Sequence, residues 1–173
     1  MTKEHPQEYL VLGLLMRESR HGYEINQYFS SRLGRAWHAG MSQIYALLKR
    51  LEETGKVVSA LEMQDNRPAK KVYSITPKGC ETFLSWVSQP VERIRDLRLE
   101  FLSKLFFMRE LNLPGLSELI DKQIDVCNDK VFEIKANNGS DVDTFNQLIS
   151  EFRTCQVEAI LKWLQDCKTH FGL

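Results

Sequence analysis

The sequence predicts a mainly α-helical protein with one small β-hairpin. Three observations support this fold class. An apolar stripe with helical spacing runs from Ile44 to Leu51, two runs rich in β-formers follow it, and two long apolar stripes occupy the chain after residue 90. We expect an amino-terminal domain over residues 1–89 that contains the hairpin, and a carboxy-terminal domain of long helices over residues 90–173.

The composition is that of a folded globular protein. Of the 173 residues, 43% are hydrophobic and 27% are charged, which is not typical of disordered chains. The longest apolar stretch, Tyr9–Met16, is about half as long as a bilayer span. Residues 1–6 are mostly polar and do not resemble a secretion signal. We therefore expect a cytoplasmic protein with no membrane segment.

Charge is distributed unevenly along the chain, although the formal net charge is zero. Residues 1–90 carry an excess of three positive charges, and residues 91–173 carry an excess of three negative charges. The sign of this asymmetry fits an amino-terminal half that faces a polyanion such as DNA and a carboxy-terminal half that faces solvent. Net neutrality does not fit a nonspecific coat on nucleic acid, but it is compatible with local basic patches.

Two helices are predicted before the apolar stripe. The first covers about residues 6–18 and is nearly surrounded by apolar residues. Its inward positions are Leu10, Val11, Leu14 and Leu15. Ser19–Gly22 interrupt it, because Gly22 gives the backbone freedom for a tight turn. The second helix ends at Gly34, and Trp37 follows in a connection. Its core positions are Ile25, Tyr28, Phe29 and Leu33.

The third helix, between Gly40 and Gly55, has two distinct faces. Its apolar stripe consists of Ile44, Leu47, Leu48 and Leu51. At about 100° per residue, the other face presents hydrogen-bonding and cationic groups. These are Ser42, Gln43, Tyr45 and Lys49. Such groups read base edges and contact phosphates in the major groove of DNA, which admits one helix. The alternative is that this face is only a solvated helix surface.

Two β-like runs follow and end in a basic tip. Val57, Leu61 and Met63 alternate with polar neighbours, and the chain returns from Lys70 to Ile75 after a connection at Asp65–Ala69. Arg67, Lys70 and Lys71 lie at the tip and can contact phosphates or the minor groove. A groove-reading helix followed by a cationic hairpin predicts a winged helix-turn-helix. Thr76 and Pro77 then begin a fourth helix, as N-cap and first helical residue, and Pro90 ends it.

The chain after residue 90 predicts three further helices. A first stripe runs to about Leu111; it comprises Ile94, Leu97, Phe101, Leu102, Leu105 and Phe106. A second stripe comprises Leu116, Leu119, Ile120, Ile124, Cys127, Val131 and Ile134. The last helix has about 28 residues and is about 42 Å long. Its stripe comprises Phe145, Leu148, Ile149, Phe152, Ala159, Ile160, Trp163 and Leu164. An antiparallel pair of these helices would leave part of the apolar stripes exposed to solvent. We therefore expect a second copy of the chain to cover them.

No catalytic, cofactor or metal site is indicated. The cysteines form no CxxC pair, and Cys127, Cys155 and Cys167 lie on apolar stripes, where free cysteine acts as a small hydrophobe. His170 with Cys167 is a possible but incomplete metal pair. His21 is either a hydrogen-bonding turn residue, which we favour, or a ligand or pH sensor. The sequence has no glycine-rich phosphate loop and no nucleophile with a nearby base.

Several linked motifs resemble the PadR family of bacterial transcriptional regulators. The motifs are residues 21–25 (HGYEI), 37–45 (WHAGMSQIY), 48–57 (LKRLEETGKV), 67–76 (RPAKKVYSIT) and Gly79. Their order and spacing agree over roughly residues 6–88, and the long tail resembles the branch that contains phenolic-acid-responsive repressors and a related activator. Ala46 departs from the proline of many relatives, and Gly40–Ser42 depart from the Ser-His-Gln of close ones. The operator sequence therefore cannot be transferred.

The resemblance implies a non-enzymatic homodimer joined through its carboxy-terminal helices. It also implies binding to an operator, and small aromatic effectors in some members. We favour a repressor on a pseudo-palindromic operator and leave activation open. Trp37 and Trp86 are candidates for an effector pocket between the two domains, although core packing is the default for tryptophan. The rival hypothesis is a helical interaction module that uses the winged domain to bind protein.

Overall fold

A computed structural model of the chain describes residues 6–33, 40–64, 67–136 and 143–173, with the backbone alone at residues 32–33, 64 and 67–69. The chain forms two compact units. The first comprises Met1–Val87 and Leu102–Leu113, and the second comprises Ser88–Phe101 and Pro114–Leu173. The short helix at residues 102–110 thus lies with the first unit, and the division at residue 89 into separate domains stays a prediction.

The described chain is mostly helical with one small antiparallel sheet, which confirms the predicted fold class. The first unit contains α1 (Pro6–Leu15), β1 (Arg20–His21), α2 (Gly22–Tyr28), α3 (Met41–Glu53), β2 (Val57–Gln64), β3 (Arg67–Ile75), α4 (Pro77–Val87) and α5 (Leu102–Glu110). The second contains α6 (Leu116–Ala136) and α7 (Thr144–Phe171). A π-helical turn at Phe29–Leu33 extends α2. A 3₁₀ turn at Ile94–Asp96 and a π-helical turn at Leu97–Phe101 replace the start of the single helix predicted to run to Leu111.

The core of the first unit lies between α1, α3, α4 and α5. The predicted stripe of α3 is buried at all of its positions, Ile44, Leu47, Leu48 and Leu51. Leu10, Val11, Leu14 and Leu15 of α1 are buried as well. Phe83 of α4 meets Phe107 of α5 edge to face at 5.5 Å between ring centroids. Phe107 is buried, whereas Phe106 and Leu102, predicted inward, are partly or largely exposed. Helix α1 ends at Leu15, earlier than predicted.

The sheet has three strands in the order β1–β3–β2, and the sequence predicted only a hairpin. Arg20 and His21, predicted as a turn, pair with Tyr73 and Val72 of β3. The second edge of β3 therefore finds hydrogen-bonding partners on a passing segment. The predicted five-residue connection was too long, because Gln64 pairs with Arg67. Arg67, Pro68 and Ala69 belong to β3, and residues 65–66 lie outside the described residues.

The outer half of the hairpin is solvent-exposed on its apolar side. Val57 is buried, but Leu61 and Met63 are 71% and 85% exposed. The alternating pattern predicted a half-exposed strand; the strand is present, but of these three apolar residues Val57 alone is buried.

Thr76 begins α4 as predicted. Its Oγ1 accepts the backbone N–H of Gly79 at 3.1 Å and donates to the carbonyl of Gly55 at 2.8 Å. Gly55 lies two residues after the end of α3 and has a φ of 70°, a left-handed conformation that favours glycine. The same threonine therefore caps one helix and ties it to the end of another.

In the second unit, α6 and α7 pack along each other in opposite directions. Lys168 near the end of α7 pairs with Asp121 near the start of α6 at 2.7 Å, and α7 has the predicted 28 residues. The buried residues of the pair are Leu119, Ile120, Gln123, Cys127, Val157, Leu164 and Cys167. Burial raises the pKa of the Cys127 and Cys167 thiols, as expected for structural cysteines. Cys155 is exposed, contrary to its predicted packing.

A second surface of the helical pair is apolar and exposed. It consists of Phe145, Leu148 and Phe152 of α7, which are 57% to 67% exposed. We call these residues the apolar face. Phe145, Leu148 and Phe152 fall within an arc of about 60° on α7. Of the stripe predicted for α7, Leu164 alone is buried, and the buried Val157 was not part of that prediction.

Candidate nucleic-acid interface

The outward face of α3 is solvent-exposed where the sequence placed it. Gly40 precedes the helix in an extended conformation, and its carbonyl accepts the N–H groups of Gln43 and Ile44 at 3.0 and 3.1 Å. The side chains of Ser42, Gln43, Tyr45 and Lys49 are all exposed. Burial of the opposite stripe fixes this helix with its polar face toward solvent, so these groups are available to a partner.

Two of these side chains already have intramolecular partners. Gln43 Nε2 donates to Oε1 of Gln7 at 2.7 Å. Lys49 Nζ lies 3.9 Å from a carboxylate oxygen of Glu53, a long contact between exposed groups that competes weakly with other anions. Gln43 is thus hydrogen-bonded to α1, whereas Lys49 remains available to a phosphate.

Tyr45 lies against the start of α2. A Cβ atom at Gly22 would be 2.7 Å from Tyr45 Cε1, closer than packed carbon atoms approach. Gly22 has no positive φ, so the reason for glycine is this close approach and not the turn that the sequence suggested. The Tyr45 ring therefore packs directly against the backbone of Gly22, and the rest of the side chain is exposed to solvent.

We call the hairpin of β2 and β3 the wing. Its two lysines, Lys70 and Lys71, differ in their electrostatic surroundings. Lys71 Nζ is 2.8 Å from Glu52 Oε2 and 5.2 Å from the Tyr73 ring centroid. Hydrogen bonds from Lys71 and Ser59 lower the pKa of Glu52, and the Glu52 carboxylate raises the pKa of Lys71. Lys70 is exposed and makes no ion pair within the described part of the chain. Lys70 is therefore the cation more available to DNA.

A groove of about 490 Å³ joins the start of α2, α3 and the wing. Its lining includes His21, Tyr23, Gln27, Tyr45, Lys70 and Lys71. Tyr23 and Gln27 were not among the predicted site residues, although both are exposed. Their i, i+4 spacing on one side of α2 is the signal that could have identified them. The groove gathers two phenols and two cations, which are groups that bind phosphate oxygens.

His21 has the contacts of a structural residue. Its backbone N–H donates to Glu24 Oε2 at 2.9 Å, and its Nδ1 lies 3.4 Å from the carbonyl oxygen of Lys71. Nε2 lies 3.4 Å from a carboxylate oxygen of Glu62. These contacts join the start of α2 to both wing strands and favour the turn role over the ligand role. No group of three metal-ligating side chains occurs within the described residues.

Trp86, one of the two tryptophans predicted to bind an effector, lies in the core of the first unit. Trp37 lies outside the described residues. Trp86 is 8% exposed and stacks on Tyr9 with ring centroids 4.7 Å apart. Lys104 Nζ lies 4.9 Å from the centroid of the Trp86 ring. These neighbours favour a core role for Trp86, and effector binding by either tryptophan stays a prediction. Across the described segments, no helix is long and apolar enough to cross a membrane.

Comparison with known proteins gives concordant matches. Residues 11–84 match the model of the transcriptional regulator PadR-like family. The chain is 32% identical over 133 residues to the negative transcriptional regulator PadR of Bacillus subtilis, covering 75% of this chain and 71% of that protein. It is also 32% identical over 85 residues to the probable transcriptional regulator Rv1176c of Mycobacterium tuberculosis, covering 49% and 45%.

Solved structures of the Bacillus subtilis protein are similar as well. Its complex with operator DNA has 26% identity and a TM-score of 0.49, with 96% of this chain and 99% of that chain covered. Its complex with p-coumaric acid has 26% identity and a TM-score of 0.43, with 98% and 100% covered. The matching family model and the Bacillus subtilis relative are transcriptional regulators and not enzymes. This chain belongs to the PadR-like family of transcriptional regulators.

Proposed function

We propose that this protein is a sequence-specific repressor that binds a pseudo-palindromic operator as a homodimer. The observation that carries this proposal is the exposed polar face of α3 beside the groove, with Lys70 on the wing. Its negative sign of regulation is supported by the relationship to a negative transcriptional regulator.

In this proposal the side chains divide between bases and phosphates. Ser42 and Gln43, at the amino-terminal end of α3, contact base edges, and glutamine matches adenine with two hydrogen bonds. Tyr45 and Lys49 contact phosphates. Lys70, Lys71 and Arg67 bring the wing to a neighbouring phosphate run or the minor groove. Tyr23 adds a hydroxyl from α2 to the same groove. Phosphate contacts set the register, and base contacts set the sequence preference.

The apolar face supports the dimeric part of the proposal. Aromatic side chains of this size bury large areas and dominate interface energetics. A two-fold pair of chains joined through this face would present two α3 helices to one duplex. The operator would then have half-sites about one helical turn, or a multiple of it, apart.

Gln43→Ala is expected to relax base preference. If the contact is bidentate, its loss costs about 1–3 kcal/mol of discrimination, or about 5- to 150-fold in relative affinity. Selection of bound duplexes from a randomised library, followed by sequencing, measures the preference at each position. An unchanged preference at every position would remove Gln43 from the base contacts.

Lys70→Ala is expected to weaken binding to all duplexes alike. Loss of one phosphate contact lowers the slope of log K against log salt by about 0.9. Adding Lys71→Ala should change the slope by less than Lys70→Ala does, because Glu52 already neutralises Lys71. Titrations at several salt concentrations measure this slope. Lys122→Ala, at an exposed site on α6, is the control and should leave it unchanged.

The rival, a protein-interaction module, makes a different prediction in the same assay. A salt-sensitive gel shift with duplex DNA is expected from the repressor and not from the module. Binding that shows no preference among genomic fragments over random competitor would contradict sequence-specific regulation.

A further inference from the structure

Two side chains at the start of α1 contact α3, the helix proposed to read the bases. Gln7 accepts a hydrogen bond from Gln43 at 2.7 Å, and the next residue, Glu8, pairs with Arg50 at 2.9 Å between Oε1 and Nε. The Glu8–Arg50 contact is ionic and lacks hydrogen-bond geometry at that oxygen. Gln43 and Arg50 are two helical turns apart and share a side of α3. Two consecutive residues of α1 therefore contact one edge of α3.

The contact with Gln7 uses one particular atom of Gln43. A glutamine amide has two N–H donors on nitrogen and one acceptor oxygen. Because Gln43 Nε2 donates one of its two protons to Gln7, the second proton and Oε1 of Gln43 stay available for hydrogen bonds to a base. Those are the groups that adenine needs, since its N7 accepts and its N6 amino group donates.

The hydrogen bond also couples the orientation of the Gln43 amide to that of the Gln7 amide. The terminal torsion of glutamine is broad and roughly two-fold, so an unrestrained amide exchanges donor and acceptor by rotation. With Gln7 Oε1 as acceptor, the nitrogen of Gln43 is toward α1 and its oxygen stays available; the reversed hydrogen bond would require both amides to rotate together. The side chain is then ordered before DNA arrives, which removes part of the entropy cost of binding.

We propose that Gln7 is a positioning residue that determines base preference through Gln43. The inference rests on the proposed function, because it needs Gln43 to read a base. Gln7 itself contacts no base in this arrangement. It supplies an acceptor that keeps the reading amide in the orientation suited to adenine.

The test compares Gln7→Met, Gln7→Glu and Gln43→Ala in the full chain, using a randomised duplex library. Gln43→Ala identifies the base position that Gln43 reads. At that position Gln7→Met, which removes the acceptor at similar size, should lower the preference by about 2- to 10-fold. Gln7→Glu keeps an acceptor and should retain the preference, while its added charge weakens binding to all sequences. Base preference is a ratio within one sample and does not depend on the folded fraction.

The outcomes separate the inference from the function beneath it. If Gln43→Ala removes a preference that Gln7→Met leaves intact, the positioning role is overturned and the repressor proposal stands. Equal loss at all positions in Gln7→Met, or no retention in Gln7→Glu, also overturns it, because either result indicates general displacement of α3. If Gln43→Ala changes no preference, base reading by Gln43 fails and the role of Gln7 fails with it.

Discussion

Phe152→Glu is expected to convert a dimer of this chain into monomers and to lower operator affinity by more than about 100-fold. The substitution places a carboxylate on the apolar face beside Phe145 and Leu148. Truncation of a central aromatic residue at an interface commonly costs about 2–4 kcal/mol, and burial of an unpaired charge adds to this cost. Both half-sites must be held at once for full affinity, so loss of the dimer lowers affinity further.

Sedimentation or light scattering measures the dimer, and a gel shift measures DNA affinity. Gln147→Glu is the matched control, because it adds the same charge to the same helix. Residue 147 is exposed and lies on the opposite side of α7 from the apolar face. A Phe152→Glu protein that stays dimeric at wild-type affinity would show that the chains meet through another surface.

Gly79→Ala is expected to destabilise the first unit by about 2–3 kcal/mol or more. A Cβ atom at this position would be 2.1 Å from the carbonyl oxygen of Lys56 and 2.8 Å from Ile75 Cγ1. The Lys56 carbonyl cannot move freely, since it accepts the N–H of Thr76 at 3.0 Å. Overpacking against fixed backbone therefore has to shift α4 or break this junction, and such substitutions cost about 1–3 kcal/mol or more.

Thermal unfolding followed by circular dichroism measures this effect. A loss of that size should lower Tm by about 5–10 °C for a chain of this length. Glu81→Ala, at an exposed position of α4, is the control and should change Tm by little. An unchanged Tm for Gly79→Ala would show that the backbone at Lys56 yields at no cost.

The elements that the sequence predicted well are those specified by neighbouring residues. The stripe of α3 and the Thr76 cap each depend on spacings of a few residues, and both are present in the structure. Strand β1 could not be found in this way, because Arg20 and His21 have no strand pattern of their own. They become a strand only by pairing with β3, which lies about fifty residues later in the chain.

The candidate site was predicted in the same partial way. Ser42, Gln43, Tyr45 and Lys49 are exposed because periodicity alone places them opposite the core. The difference between Lys70 and Lys71 was not visible in the sequence. It depends on Glu52, which precedes Lys71 by 19 residues. Gln7 and Tyr23 were missed for the same reason, because tertiary contacts bring them to the site.

The exposed thiol of Cys155 has a practical consequence. Cys155 lies three residues after Phe152 and, at about 100° per residue, on the same side of α7 as Leu148, at the border of the apolar face. Cys127 and Cys167 are buried, and this burial, which also raises their pKa, makes them less accessible to reagents. Alkylation of Cys155, resolved by peptide mass analysis from that of the partly exposed Cys80, would therefore report on association, with fast modification of separated chains and slow modification once they pair.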